Sequence, residues 1–307
     1  MGTGRPRAVA AVAGASLLWG TTGTVASFLP DEVSPLAIGA ATMGIGGLLL
    51  FAFAARPALG VLRDPGARRW VLAGAVGVVV YPLAFYTGMD LAGVAIGNVV
   101  ALGSGPIVTA VLEWVFERRR LTVRWGVATA LALGGMVLLT LGTHAGPAAR
   151  SGGVVAGVLV GLLAGIAYGL FTYASSRGIS TGHGSRGVMG AMFGVGGLLL
   201  VPVLVATGAP LVDDARSLGM LAYLALGPMF LAYLLIGAAL RTLRSSMVAT
   251  IALLEPVVAT TLAVVIVGER LDALGWTGMA AILVGIVILV AALPPSLRSR
   301  ARLDFRV

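Results

Sequence analysis

A chain of 307 residues with 58% hydrophobic and 11% charged residues, and a mean hydropathy of +1.01, is not an ordinary soluble domain, where about a quarter of residues carry charge. Cysteine is absent, which excludes disulfides, thiol catalysis and Cys-based metal sites, and the two histidines, His144 and His183, fall in predicted loops. The net charge of +9 comes from 21 arginines without a lysine; it reads as a membrane-topology signal, not a nucleic-acid footprint.

Ten apolar stretches are long enough to cross a bilayer as helices. They fall at roughly 8–28, 35–54, 70–90, 93–116 and 124–142, then 153–174, 187–206, 217–240, 245–267 and 274–293. The connections are short, none long enough for a soluble domain, and the first run ends without an A-x-A-type cleavage site. The expectation is an all-α integral membrane protein of ten transmembrane helices. With a cytoplasmic N-terminus, 18 arginines collect on that side, including Arg68-Arg69 and Arg118-Arg119-Arg120, against Arg150, Arg216 and Arg270 opposite. Both termini are therefore expected in the cytoplasm. Lysine-free, Ala/Gly/Val/Arg-rich usage points to GC-rich bacterial coding, hence to the bacterial cytoplasmic membrane.

The ninth span, in Met247–Leu271, carries one ionisable residue in its apolar run, Glu255, followed by Pro256. A mid-membrane carboxylate costs a few kcal/mol or more and usually faces a cavity or a partner. Proline removes a backbone donor and frees carbonyls beside it. A charge beside a break at the midplane is the sequence mark of a transport site.

Val94–Leu121 is a second copy, about 150 residues earlier, with Pro106 on Pro256 and Leu121 on Leu271. Where the second copy has Glu255 the first has Gly105, so the charge is specific to one half. Tyr81-Pro82 and Gly227-Pro228 mark the third and eighth spans, and Gly135 falls on Gly285 in the fifth and tenth. Five spans per half is an odd number, so the halves enter the membrane in opposite directions, as two inverted five-helix repeats with the site where they meet. Residues 8–142 and 153–293 are the two units, and 294–307 is a basic cytoplasmic tail.

Candidate site residues follow from this frame. Trp19, Tyr81, Tyr86, Tyr168 and Tyr233 lie inside their spans, not at the interfacial belts, and suit a pocket for small organic solutes. Asn98, Thr172 and Thr250 are mid-span polar residues with two readings, pathway or interhelical glue. Pro82, Pro106, Pro228 and Pro256 are expected kinks. Glu113, near the inner end of its span, is expected close to the headgroups and paired with arginines. Gly157, Gly161, Gly165 and Gly169 form a stripe for close helix contact or for sliding.

The pattern FYTGMDLAGV…GPIVTAVLEWVFERRRL, repeated as LAYLLIGAALRTLRSSMVATIALLEPVVATTLAVVIVGERL, resembles the EamA repeat of the drug/metabolite transporter superfamily. The opening ASLLWGTTGTVA is similar to the first helix of that repeat, where a Trp-Gly pair is typical. The resemblance covers about residues 8–293; one departure is Glu-Arg-Arg-Arg at 117–120 in place of Gly-Glu-Arg. It implies a ten-helix basket with a central pocket and export of a small metabolite, an amino acid or related solute, by alternating access. No cofactor and no nucleic acid are expected. The partners are a small-molecule substrate, the lipid bilayer and protons as a candidate coupling ion. An intramembrane enzyme and a passive channel are the alternatives, and the spans hold neither a G-x-S-x-G elbow nor H-E-x-x-H.

Overall fold

The computed structural model describes residues 4–26, 28–30, 32–142, 153–267 and 270–291, the side chains of residues 94, 95 and 267 excepted. The tail expected over 294–307, together with His144, Arg150 and Glu269, lies outside the described residues. Helices α1 (Gly4–Ala26) and α2 (Pro35–Phe53) are followed by a short α3 (Ala55–Arg63) and the long α4 (Pro65–Ala92). Then come α5 (Val94–Glu117), α6 (Val123–Leu141), α7 (Val154–Ser180) and α8 (Ser185–Thr207). Helix ends are chemically marked: Ser34, Asp64, Thr122 and Asp214 accept first-turn backbone N–H groups at 2.8–3.1 Å, each at the boundary of a span.

Two spans of the second half are not plain helices. The eighth runs as α9 (Ala215–Leu224), a π-helical segment (Ala225–Leu231) around Pro228, and α10 (Ala232–Ala239). The ninth is α11 (Ser245–Ala252), a turn at Leu253, α12 (Leu254–Leu262) and a second π segment (Ala263–Val267); α13 (Ala273–Ala291) follows. Helix α3 falls where only a connection was expected. Nine residues are too short for a hydropathy signal, but burying Ala58 and Val61 on one face while Arg56 and Arg63 stay exposed holds it as a helix.

Among the described residues, ten helices are long and apolar enough to span a membrane, and exposed residues such as Leu159, Leu198, Val205 and Val287 give their outer faces an apolar surface. The packing follows a pseudo-twofold. Helix α7 lies against α4 and α5, and its repeat mate α1 lies against α10 and α12, so the first helix of each repeat docks into the other repeat. Mates α2 and α8 pack together, as do α6 and α13. The α6–α13 crossing shows the symmetry atom by atom: a Cβ on Gly135 would sit 2.6 Å from the Gly278 carbonyl, and one on Gly285 would sit 2.6 Å from the Ala128 carbonyl. Only glycine allows backbones that close. The protein is therefore an all-α membrane protein of two inverted five-helix repeats.

Candidate functional site

Between the repeats lies a cavity of about 90 Å³, room for about three water molecules. Helix α1 supplies Trp19 and Thr22, and α4 supplies Tyr81, Pro82, Phe85 and Tyr86. From α7 comes Tyr168, from the π segment Pro228 and Met229, from α10 Tyr233 and from α12 Glu255. Helix α2 adds Gly39, Thr42 and Met43. Thus six of the nine candidates, Trp19, Tyr81, Tyr86, Tyr168, Tyr233 and Glu255, share one cavity, and both repeats build it.

Local irregularity explains how the rings are held. The widened turn around Pro228 leaves its carbonyl open to a second donor, and the Trp19 indole N–H donates to it at 2.8 Å. With its N–H spent there, Trp19 offers the cavity its ring, 5.4 Å from Tyr233. Further rings continue the wall: Tyr81 stacks on Phe85 at 5.4 Å, Tyr168 lies 5.7 Å from Tyr81, and Phe85 meets Tyr86 edge-on at 5.3 Å. Tyr168 and Tyr233 are buried, and the remaining rings of this wall are half-buried.

Glu255 sits in the first turn of α12, because the helix restarts after Leu253. Unsatisfied N–H groups of a helix start favour negative charge there. Among the described residues its carboxylate has no hydrogen bond or ion pair, and no arginine or histidine lines the cavity.

The other three candidates lie outside the lining. Thr250 is fully buried, donates to the Ser246 carbonyl and meets Thr129 at 3.2 Å, as glue between α11 and α6. Thr172 is buried on α7, one turn beyond Tyr168, and Asn98 is half-buried on α5. Of the four prolines, Pro82 and Pro228 border the cavity, Pro256 follows Glu255 in the first turn of α12, and Pro106 sits within an α5 that stays helical throughout.

Sequence reasoning missed the α2 contribution, since Thr42 and Met43 are unremarkable letters in a Gly/Leu-rich helix. It also misjudged Glu113. That carboxylate is 3% exposed and its partners are not arginines. It accepts from Ser245 Oγ at 2.7 Å, Ser246 N at 3.0 Å and Ser246 Oγ at 2.8 Å, capping α11 from α5 across the repeat boundary. The arginines expected for it belong to Glu117, which pairs with Arg119 at 2.8 Å and Arg177 at 3.7 Å.

Fold and cavity together define a polytopic membrane protein with an aromatic, singly charged pocket between inverted halves. The chain matches the EamA-like transporter family over residues 6–141 and again over 155–291, and it belongs to that family. It is 33% identical over 285 residues to "Uncharacterized transporter YwfM" of Bacillus subtilis (strain 168), covering 91% of this chain and 92% of that one. A protein of known crystal structure shares its fold, with a TM-score of 0.77 at 22% identity over 94% of this chain and 97% of the other. The chain is a membrane transporter with a small-molecule substrate.

Proposed function

We propose that this chain is a secondary transporter that exports a small organic solute, an amino acid or a relative of one, across the bacterial cytoplasmic membrane by alternating access. The observation that carries the reading is the cavity built jointly by the two inverted repeats, with Glu255 as the charged group of its lining. A solute held between two halves that rock against each other meets either face in turn. Pro82, Pro106, Pro228 and Pro256 interrupt backbone hydrogen bonding in four of the spans and suit the flexible points of such a motion. No G-x-x-x-x-G-K-[ST] loop occurs, so the drive is an ion or solute gradient, with a proton exchanged at Glu255 as the coupling step. The arginine asymmetry supports two cytoplasmic termini.

Transport without chemistry on the solute is favoured by the lining, which offers one carboxylate without a nucleophile–base pair. The test compares the small molecules in media of cells lacking the protein, overexpressing it, or overexpressing Thr42→Trp, which fills the cavity. The expected result is a solute that accumulates outside with the wild type and not with Thr42→Trp at equal membrane levels. Equal release by both proteins defeats the cavity as the path. A solute that appears only in chemically altered form supports an enzyme instead.

A further inference from the structure

We propose that the cavity selects a monocationic amine, its ammonium on Glu255 and its apolar body against the rings; this rests on the transport reading above and narrows it to a substrate class. Glu255 has no partner among the described residues, and the lining holds no second carboxylate, arginine or histidine. A lone carboxylate in low dielectric is costly unless its counter-charge arrives with the ligand. An anionic solute would add a second unpaired negative charge. A zwitterion would satisfy Glu255 but bring its own carboxylate into a wall without a guanidinium or imidazolium.

The rings point the same way by an independent route. Trp19, Tyr81, Tyr168 and Tyr233 line one small space, and the negative faces of such rings attract an ammonium group most strongly where water is excluded. Trp19 cannot donate to a solute, because its N–H is held by the Pro228 carbonyl. Thr42 is likewise turned back to the Ile38 carbonyl at 2.6 Å. Neither of these two groups can serve an anion; the hydroxyls of Thr22, Tyr81, Tyr86, Tyr168 and Tyr233 can accept as well as donate, while the Glu255 carboxylate and the π faces only accept and so favour a cation. A cavity of about 90 Å³ limits the solute to a small amine.

The experiment is a charge series on one body, measured by thermal shift and calorimetry on the purified full-length protein in detergent. The probes are isobutylamine, valine, isobutanol and isobutyrate, which are cation, zwitterion, neutral and anion on a body small enough for the cavity. The amine is expected to bind at least about tenfold more tightly than the alcohol, the equivalent of one charge-assisted hydrogen bond. Isobutyrate is expected to give no shift, and Glu255→Gln to erase the preference for amine over alcohol. The wild-type series decides the matter even if that variant fails to fold. Equal binding of alcohol and amine, or tighter binding of valine, overturns the cation assignment and leaves the cavity as a solute site. Binding of none of the four overturns the proposal, while the media comparison, which uses no amine probe, still judges the transport reading by itself.

Discussion

Two acidic residues on membrane-spanning helices meet opposite fates, and the contrast shows what a side chain's letter does and does not tell. Glu113 is satisfied by three hydrogen bonds from two serines, a helix cap assembled from residues 132 and 133 positions away. Glu255 has no described partner and borders open space. In the sequence Glu255 stood out as a costly mid-span charge and Glu113 as one near the headgroups; the serine partners of Glu113 were not visible, because capping between distant helices leaves no local spacing to read. The aromatic cluster was legible because Trp and Tyr away from the interfaces are unusual, whereas Thr42 and Met43 carry no such signal. Outside the membrane, Asp64 caps α4 through the Gly66 N–H at 2.9 Å and lies 2.9 Å from His183 Nε2, joining the α3–α4 corner to the α7–α8 turn. The hydrogen bond to His183, helped by that cap, holds the Asp64 carboxyl below its ordinary value of 3.8. A lowered folded-state value means the contact stabilises the fold above the ordinary value, and the contribution is lost as pH falls through the lowered one. His183→Ala should therefore reduce the melting temperature slightly at neutral pH, by about 2 °C or less for so exposed a pair. Below the lowered value the two proteins should melt alike. An equal loss at both pH values would assign the effect to packing of the ring.

At the scale of elements, the spans were readable because arginines and capping residues punctuate long apolar runs, and the repeat because Pro106, Leu121 and Gly135 recur at one offset as Pro256, Leu271 and Gly285. The π segments were not readable. Pro228 announces an interruption but not its form, and no local spacing marks its carbonyl as the acceptor for the Trp19 indole N–H 209 positions away. The α7 glycine stripe was legible as a contact surface with an ambiguous purpose, and geometry resolves much of it. A Cβ on Gly157 would sit 2.5 Å from the Ala92 amide nitrogen, and one on Gly165 would strike Ser104 Oγ and lie 2.7 Å from the Ala101 carbonyl. Neither partner is the free end of a flexible chain, so the stripe joins α7 tightly to α4 and α5. Gly165→Leu should then forfeit folded protein, with the monodisperse fraction on size-exclusion chromatography falling several-fold, because overpacking costs about 1–3 kcal/mol or more. Normal recovery of folded but transport-dead protein would favour sliding along the stripe over static packing.

For the whole molecule, the decisive feature is an asymmetry laid over the pseudo-twofold. At one end, α5 of the first repeat and α11 of the second are fastened by Glu113 with Ser245 and Ser246. Beside them Trp70, Phe116 and Tyr173 pack with ring centroids 5.8–6.0 Å apart. Along α4, α7 and the α11–α12 span alike, cavity residues Tyr81, Tyr168 and Glu255 lie further toward the other end. By the repeat offset, the positions matching Glu113, Ser245 and Ser246 are Ala263, Ala95 and Ile96, so no equivalent polar fastening is encoded opposite. If the halves exchange conformations, the Glu113 contact must open whenever the cavity faces that end, which is the cytoplasmic one in the orientation proposed above. Each hydrogen bond to a charged group contributes about 1.5–3 kcal/mol, so losing one should shift the balance between the two facings about tenfold or more. The chain contains no cysteine, which makes the measurement direct: Thr42→Cys introduces the sole thiol, on the cavity wall. A membrane-impermeant thiol reagent applied to inside-out vesicles should label it slowly in an otherwise native chain and roughly tenfold faster when Ser245→Ala and Ser246→Ala are added. Labelling from the outer face should slow in parallel, since the two facings draw on one population. Faster labelling from both faces at once would mean that the serines merely hold the bundle together, and the fastening would lose its role in the transport cycle.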